Sequence, residues 1–138
     1  MRALVLFCVL AVSLAWTAPA SAASGGTWHA TFATGGVTGT VTVSISDPSS
    51  GGRLTENLSG LHPHTLAVLW LRSGKCSSAG FGATRLRWTV PASGHRTVTA
   101  SMTPTMAHWF MYDWTHRGGV HASLVDASTH VCVPLVAG

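Results

Sequence analysis

Eight histidines against only four carboxylates are the side chains of this 138-residue chain with the most chemistry to offer. Imidazole nitrogens are common metal ligands, so a metal site is the first chemistry to weigh. His62 and His64 form an i, i+2 pair around Pro63. In a strand that spacing would set both rings on one face, but proline places them in a turn. A solvated turn pair is the simpler reading, and so few carboxylates leave little to orient ligand rings. Serine, histidine and aspartate all occur, yet there is no Gly-x-Ser-x-Gly nucleophile elbow and no phosphate-cradling Gly-Lys-Ser/Thr run. Asn57-Leu58-Ser59 matches a glycosylation sequon, a triplet that arises often by chance.

The second candidate is aromatic. Ala107 to Trp114 reads Ala-His-Trp-Phe-Met-Tyr-Asp-Trp. Taken as a strand, it sets His108, Phe110, Tyr112 and Trp114 on one face and Trp109, Met111 and Asp113 on the other. Core packing is the plainer expectation. With one face open, its Trp and Tyr rings would form a flat binding platform of the kind adhesins and carbohydrate-binding modules use.

The cysteines bear on compartment. Met1-Arg2 gives a positive start, Ala3 to Trp16 is uncharged and mostly apolar, and Ala20-Ser21-Ala22 supplies small residues for a signal peptidase. The expected boundaries are a signal peptide over 1–22, with cleavage after Ala23 as the alternative, and one domain over 23–138. The apolar run is short for a membrane span, which needs roughly 20 residues, so no transmembrane anchor is expected. Cys8 falls in the leader, which leaves Cys76 and Cys132. In a secreted, periplasmic or extracellular location their pairing is the default, and two free thiols would need a reducing compartment. The seven basic residues beyond the leader are scattered, which excludes the dense stripe of a nucleic-acid binder.

Short β-rich runs separated by Gly, Ser, Pro and Asp clusters must position these groups. Val37, Gly39, Val41, Val43 and Ile45 alternate with Thr and Ser, the pattern of a half-buried strand. Asp47 to Gly52 is a turn, and Arg53 to Leu58 returns to close a hairpin. Further strands are expected at 27–33, 65–71, 84–90, 95–102, 106–114, 120–125 and 129–136. Eight or nine strands without helices predict an all-β, antiparallel Greek-key sandwich or flattened barrel with one disulfide.

Taken in order, several landmarks resemble the copper/zinc superoxide dismutase family. Gly36 to Val43 is similar to its early Gly-Thr-Val strand, and Leu58-Ser59-Gly60-Leu61-His62-Pro63 to the Gly-Leu turn before its copper strand. Gly74-Lys75-Cys76-Ser77-Ser78-Ala79-Gly80 resembles its disulfide loop. Ser93-Gly94, Arg117 to Ala122 and Val131-Cys132-Val133-Pro134-Leu135 follow in the family's order. The resemblance spans nearly the whole of 23–138 and implies the family's fold, with the bridge tying the loop after the metal strand to the last strand.

The same resemblance implies a lost active site. Where the family's copper strand carries His-x-His, this chain reads Ala67-Val68-Leu69-Trp70-Leu71. Phe81-Gly82 stands where the bridging histidine is expected, no zinc loop precedes Thr84, and Thr129 replaces an arginine. His121 alone matches a copper-ligand position. One imidazole does not hold copper for redox cycling. The expectation is a secreted, non-catalytic binding or structural module without a cofactor, whose partner is an unknown protein or surface ligand. Two alternatives stand beside it. One is a copper-dependent superoxide dismutase or metal-binding protein using His121 with His62, His64 or His130; the other is an unrelated β-sandwich adhesin or carbohydrate binder using Trp109 and Trp114.

Overall fold

The computed structural model describes residues 24–76 and 82–138; the expected leader and the run Ser77–Phe81 lie outside the described residues. Strand β1 (Gly26–Thr34) and strand β2 (Val37–Ile45) form a hairpin through Gly35 and Gly36. Both glycines have positive φ, 65° and 79°, the backbone a two-residue hairpin loop requires. Strand β3 (Gly52–Ser59) follows, and then β4 (Leu66–Ser73), β5 (Gly82–Thr89) and β6 (Arg96–Met102). Helix α1 (Pro104–His116) leads into β7 (Val120–Asp126), β8 (Thr129–Pro134) and the short β9 (Val136–Ala137).

The strands build two antiparallel sheets. One has the order β6-β3-β2-β1-β9 and the other β5-β4-β7-β8. The chain crosses between them after β3, β5, β6 and β8. Period-2 alternation decides what each strand buries. In β2, Val37, Val41, Val43 and Ile45 are buried, as their spacing predicts. Phe32 of β1, Leu54 and Leu58 of β3, Leu69 and Leu71 of β4 and Leu124 of β7 meet them in one core between the sheets. The glycine in the apolar row of β2 has its own reason. A Cβ at Gly39, whose φ is 128°, would lie 1.9 Å from the Asn57 carbonyl oxygen on the neighbouring β3.

The expected strand at Met106–Trp114 is a helix, and this corrects the reading of the chain as helix-free. Thr103 is its N-cap, with its side-chain oxygen accepting from the Met106 amide at 3.3 Å, and Pro104 opens the first turn. Both are standard helix-start signals. Ala107, Phe110 and Met111 are buried and Trp114 packs against the core, an i, i+3, i+4, i+7 stripe. Aromatic residues alternate acceptably in a strand as well, so period 2 also fits this segment; the cap and the buried stripe distinguish the helix. Helix α1 closes the end of the sandwich where Phe110 meets Trp28, ring centroids 4.8 Å apart. Thr103→Ala is expected to cost about 1 kcal/mol in urea unfolding, with Thr103→Ser retaining most of the stability. An unchanged midpoint for the alanine variant would show that the cap contributes nothing.

No helix among the described residues is long and apolar enough to cross a membrane.

Candidate functional site: the outer face of the four-stranded sheet

Residues directly opposite across an antiparallel pair share a face. The register therefore lays out the outer face of the four-stranded sheet row by row. Arg72 of β4 lies beside His121 of β7, and His121 beside Pro134 of β8. The next row runs Arg85–Trp70–Ser123–Cys132, and the one beyond it Arg87–Val68–Val125–His130. Ala67, Leu69 and Leu71 point the other way, into the core.

The disulfide folds the chain back over one corner of this face. Cys76 and Cys132 are bonded, with Cα atoms 5.7 Å apart. Residues 74–76 thus lie against β7 and β8, and His121 Nδ1 donates to the Gly74 carbonyl at 2.8 Å. With a carbonyl as partner, Nδ1 carries the proton of this bond. His121 is only 2% exposed. This is the one position where the family resemblance would imply a copper ligand, and its neighbours in the sheet are arginine and proline.

The other candidate ligands lie elsewhere. Asp126, at the far end of β7, orients His62: Oδ2 accepts from the His62 amide at 2.7 Å and from its Nδ1 at 2.8 Å, and Oδ1 accepts from Thr65 Oγ1 at 2.8 Å. Burial pushes the Asp126 carboxyl up, but these donors outweigh it and hold the group below its ordinary value. Asp126 and His121 are five residues apart on β7, roughly 17 Å along an extended strand. The His62 pair is therefore remote from His121. His64 sits in the turn with φ 61°. His130 Nε2 lies 2.8 Å from Ser123 Oγ, a serine–histidine contact in which Ser123 is 4% exposed. Among the described residues, no three His, Cys, Asp or Glu side chains are grouped to hold a metal ion.

The expected aromatic platform does not form, because its residues are helical. Trp114 lies parallel to Phe110, at 6.4 Å and 4° between planes, and 5.7 Å from Trp28. Trp109 is half-buried against the same core, five residues away and so on another side of α1. A cavity of about 610 Å³ lies beside the disulfide, lined by Trp114, Gly119, Val120, Pro134 and Leu135 together with the Gly74–Cys76 segment.

Sequence reasoning missed the chemistry of the outer face itself. The guanidinium carbons of Arg72 and Arg85 lie 4.7 and 5.1 Å from the Trp70 ring centroid, within cation–π range. The i, i+2 spacing of Arg85 and Arg87 was the available signal for a shared face. Comparison with known protein families, curated proteins and solved structures finds no match for this chain.

Proposed function

We propose that this chain is an exported, superoxide-dismutase-like Greek-key domain that serves as a non-catalytic binding or structural module. The observation that carries the reading is the outer face of β4, which bears Val68, Trp70 and Arg72. In the family that strand resembles, the copper ligands would stand there. Support for the fold assignment comes from the strand order, β6-β3-β2-β1-β9 facing β5-β4-β7-β8, with chain crossings after β3, β5, β6 and β8. A bridge from the loop after β4 to β8 agrees with the same comparison. Export accounts for the oxidised pair and for the leader-like start of the sequence.

On this reading the metal site has been replaced by packing. Val68 and Trp70 fill the space that imidazoles would need, and His121 is tied to a backbone carbonyl. A lone histidine supplies neither the ligand number nor the geometry for redox copper. The purified protein, incubated with copper and zinc and then desalted, should remove superoxide no faster than buffer. His121→Ala should leave that background unchanged. Dismutation that tracks bound copper and is lost in His121→Ala would overturn the proposal.

A further inference from the structure

The outer face of the four-stranded sheet is cationic, and among the described residues no carboxylate side chain neutralises it. The four carboxylate side chains are all engaged elsewhere. Asp47 caps the 3-10 turn at Pro48–Ser50, and Glu56 pairs with Arg96. Asp113 pairs with Arg117, and Asp126 holds His62 and Thr65. Arg72, Arg85 and Arg87 therefore share one face without a carboxylate partner.

We propose that this face binds an acidic polysaccharide, with the three arginines receiving its carboxylate or sulfate groups. The inference deepens the reading of the domain as a binding module and rests on it. Guanidinium groups are planar forks suited to bidentate contact with such oxyanions. Arg72 and Arg85 are braced against Trp70, which reduces the freedom lost on binding. The Arg72 Nε is buried and has no hydrogen-bond partner among the described residues.

Register favours an extended ligand over a single small anion. Arg85 lies opposite Trp70 and Arg87 opposite Val68, so their positions step along β5 by two residues, about 7 Å. Arg72 is one such step beyond Trp70 on β4. Beside this row run Leu66, 50% exposed, half-buried Val68, and Val125, 37% exposed. These offer apolar contact to the C–H faces of sugar rings. A single-stranded nucleic acid fits less well, because its bases need an open ring to stack on. Trp70 is the aromatic side chain on the described part of this face, and two guanidinium groups already lie against it. A membrane fits less well too, since the apolar side chains sit mid-strand on a sheet among arginines and not on a projecting tip.

Calorimetric titration of the whole purified protein tests the idea, with heparin oligosaccharides and polygalacturonate oligomers as probes. Neutral dextran and oligothymidylate serve as comparisons. Saturable binding to at least one acidic glycan is expected, weakening as salt is raised, with none to dextran. Arg85→Ala with Arg87→Ala should weaken it about tenfold or more, and the double lysine variant should fall between, keeping charge but losing the fork. Arg53→Ala, an exposed cation of the other sheet, should change affinity less than about twofold. In the unmodified protein, the Trp70 indole N–H resonance should shift as glycan is added, a readout independent of any variant's folding. The proposal is overturned by no saturable binding, by an Arg53→Ala loss as large as that of the double variant, by an unmoved Trp70 resonance, or by tighter binding of oligothymidylate. Dismutase activity would sink the non-catalytic reading whatever the glycan result, whereas glycan failure without activity removes this inference alone.

Discussion

Arg96→Ala is expected to destabilise the protein by about 3–5 kcal/mol at neutral pH, because it strands a carboxylate in the core. Glu56 lies between Leu54 and Leu58 on the inward face of β3 and is fully buried. Arg96 on the neighbouring β6 donates from Nε to Glu56 Oε2 at 3.0 Å, and its guanidinium lies 4.3 Å from the Trp88 ring centroid. Glu56 Oε1 has no hydrogen-bond partner among the described residues. Loss of Arg96 would leave both oxygens unpaired in an apolar environment.

The pH dependence follows from the same pair. Burial pushes the Glu56 carboxyl above its ordinary value, and the charge and hydrogen bond of Arg96 only partly oppose this. A carboxyl raised in the folded state binds its proton more tightly there than in the unfolded chain. Its ionisation therefore costs stability, from nothing below the unfolded value to the full amount above the folded one. Removing Arg96 enlarges that cost. The gap between Arg96→Ala and the unmodified protein should accordingly narrow as pH falls through the carboxylate range. Glu56→Gln should restore much of the stability of Arg96→Ala at neutral pH. Urea unfolding at neutral and acidic pH measures both effects. A loss under about 1 kcal/mol, or the same loss at both pH values, would show that the pair is solvated and dispensable.

Opening the disulfide should cost about 4 kcal/mol, a similar effect with a different origin. Cys76 and Cys132 are separated by 56 residues, and the loop they close contains β5, β6, α1 and β7. Cys76 is exposed and Cys132 half-buried on the outer face, so neither sulfur is part of the core between the sheets. The bridge acts chiefly by restricting the unfolded chain. Cys132→Ser, or reduction, should lower the urea midpoint while the two sheets persist. The m-value should rise, because a longer free chain exposes more surface on unfolding. An unchanged midpoint after reduction would mean that the folded state holds the two ends together without it.

How much of this was legible depends on the distance between cause and partner. Val37 to Ile45 announces its buried face by alternation alone, and Gly35-Gly36 is a local turn signal that needs no partner. The two cysteines were readable as a pair because only two of the chain's three lie beyond the expected leader. Helix α1 was also readable in principle: Thr103-Pro104 is a start signal, and Ala107, Phe110, Met111 and Trp114 repeat at helical spacing. Dense aromatic residues hid it by fitting a strand as well. Glu56 lies on the apolar face of an alternating strand, so its burial was local information, but its partner is 40 residues away. Asp126 and His62, 64 residues apart, meet only because the crossing after β3 brings the turn over the end of β7. The arginine face needed the register of β4 against both neighbours. An almost continuous apolar run such as Leu66 to Leu71 does not reveal that Val68 and Trp70 face outward.

The central proposal is that the outer face of β4 and β5, with Trp70, Arg72, Arg85 and Arg87, stands in place of a metal site. Native mass spectrometry of the purified, oxidised protein titrated with copper and zinc tests it. The expected spectrum is that of the metal-free chain, with any adduct weak, unsaturable and unaffected by His121→Ala. One copper per chain, retained against a competing chelator and lost in His121→Ala, would contradict it.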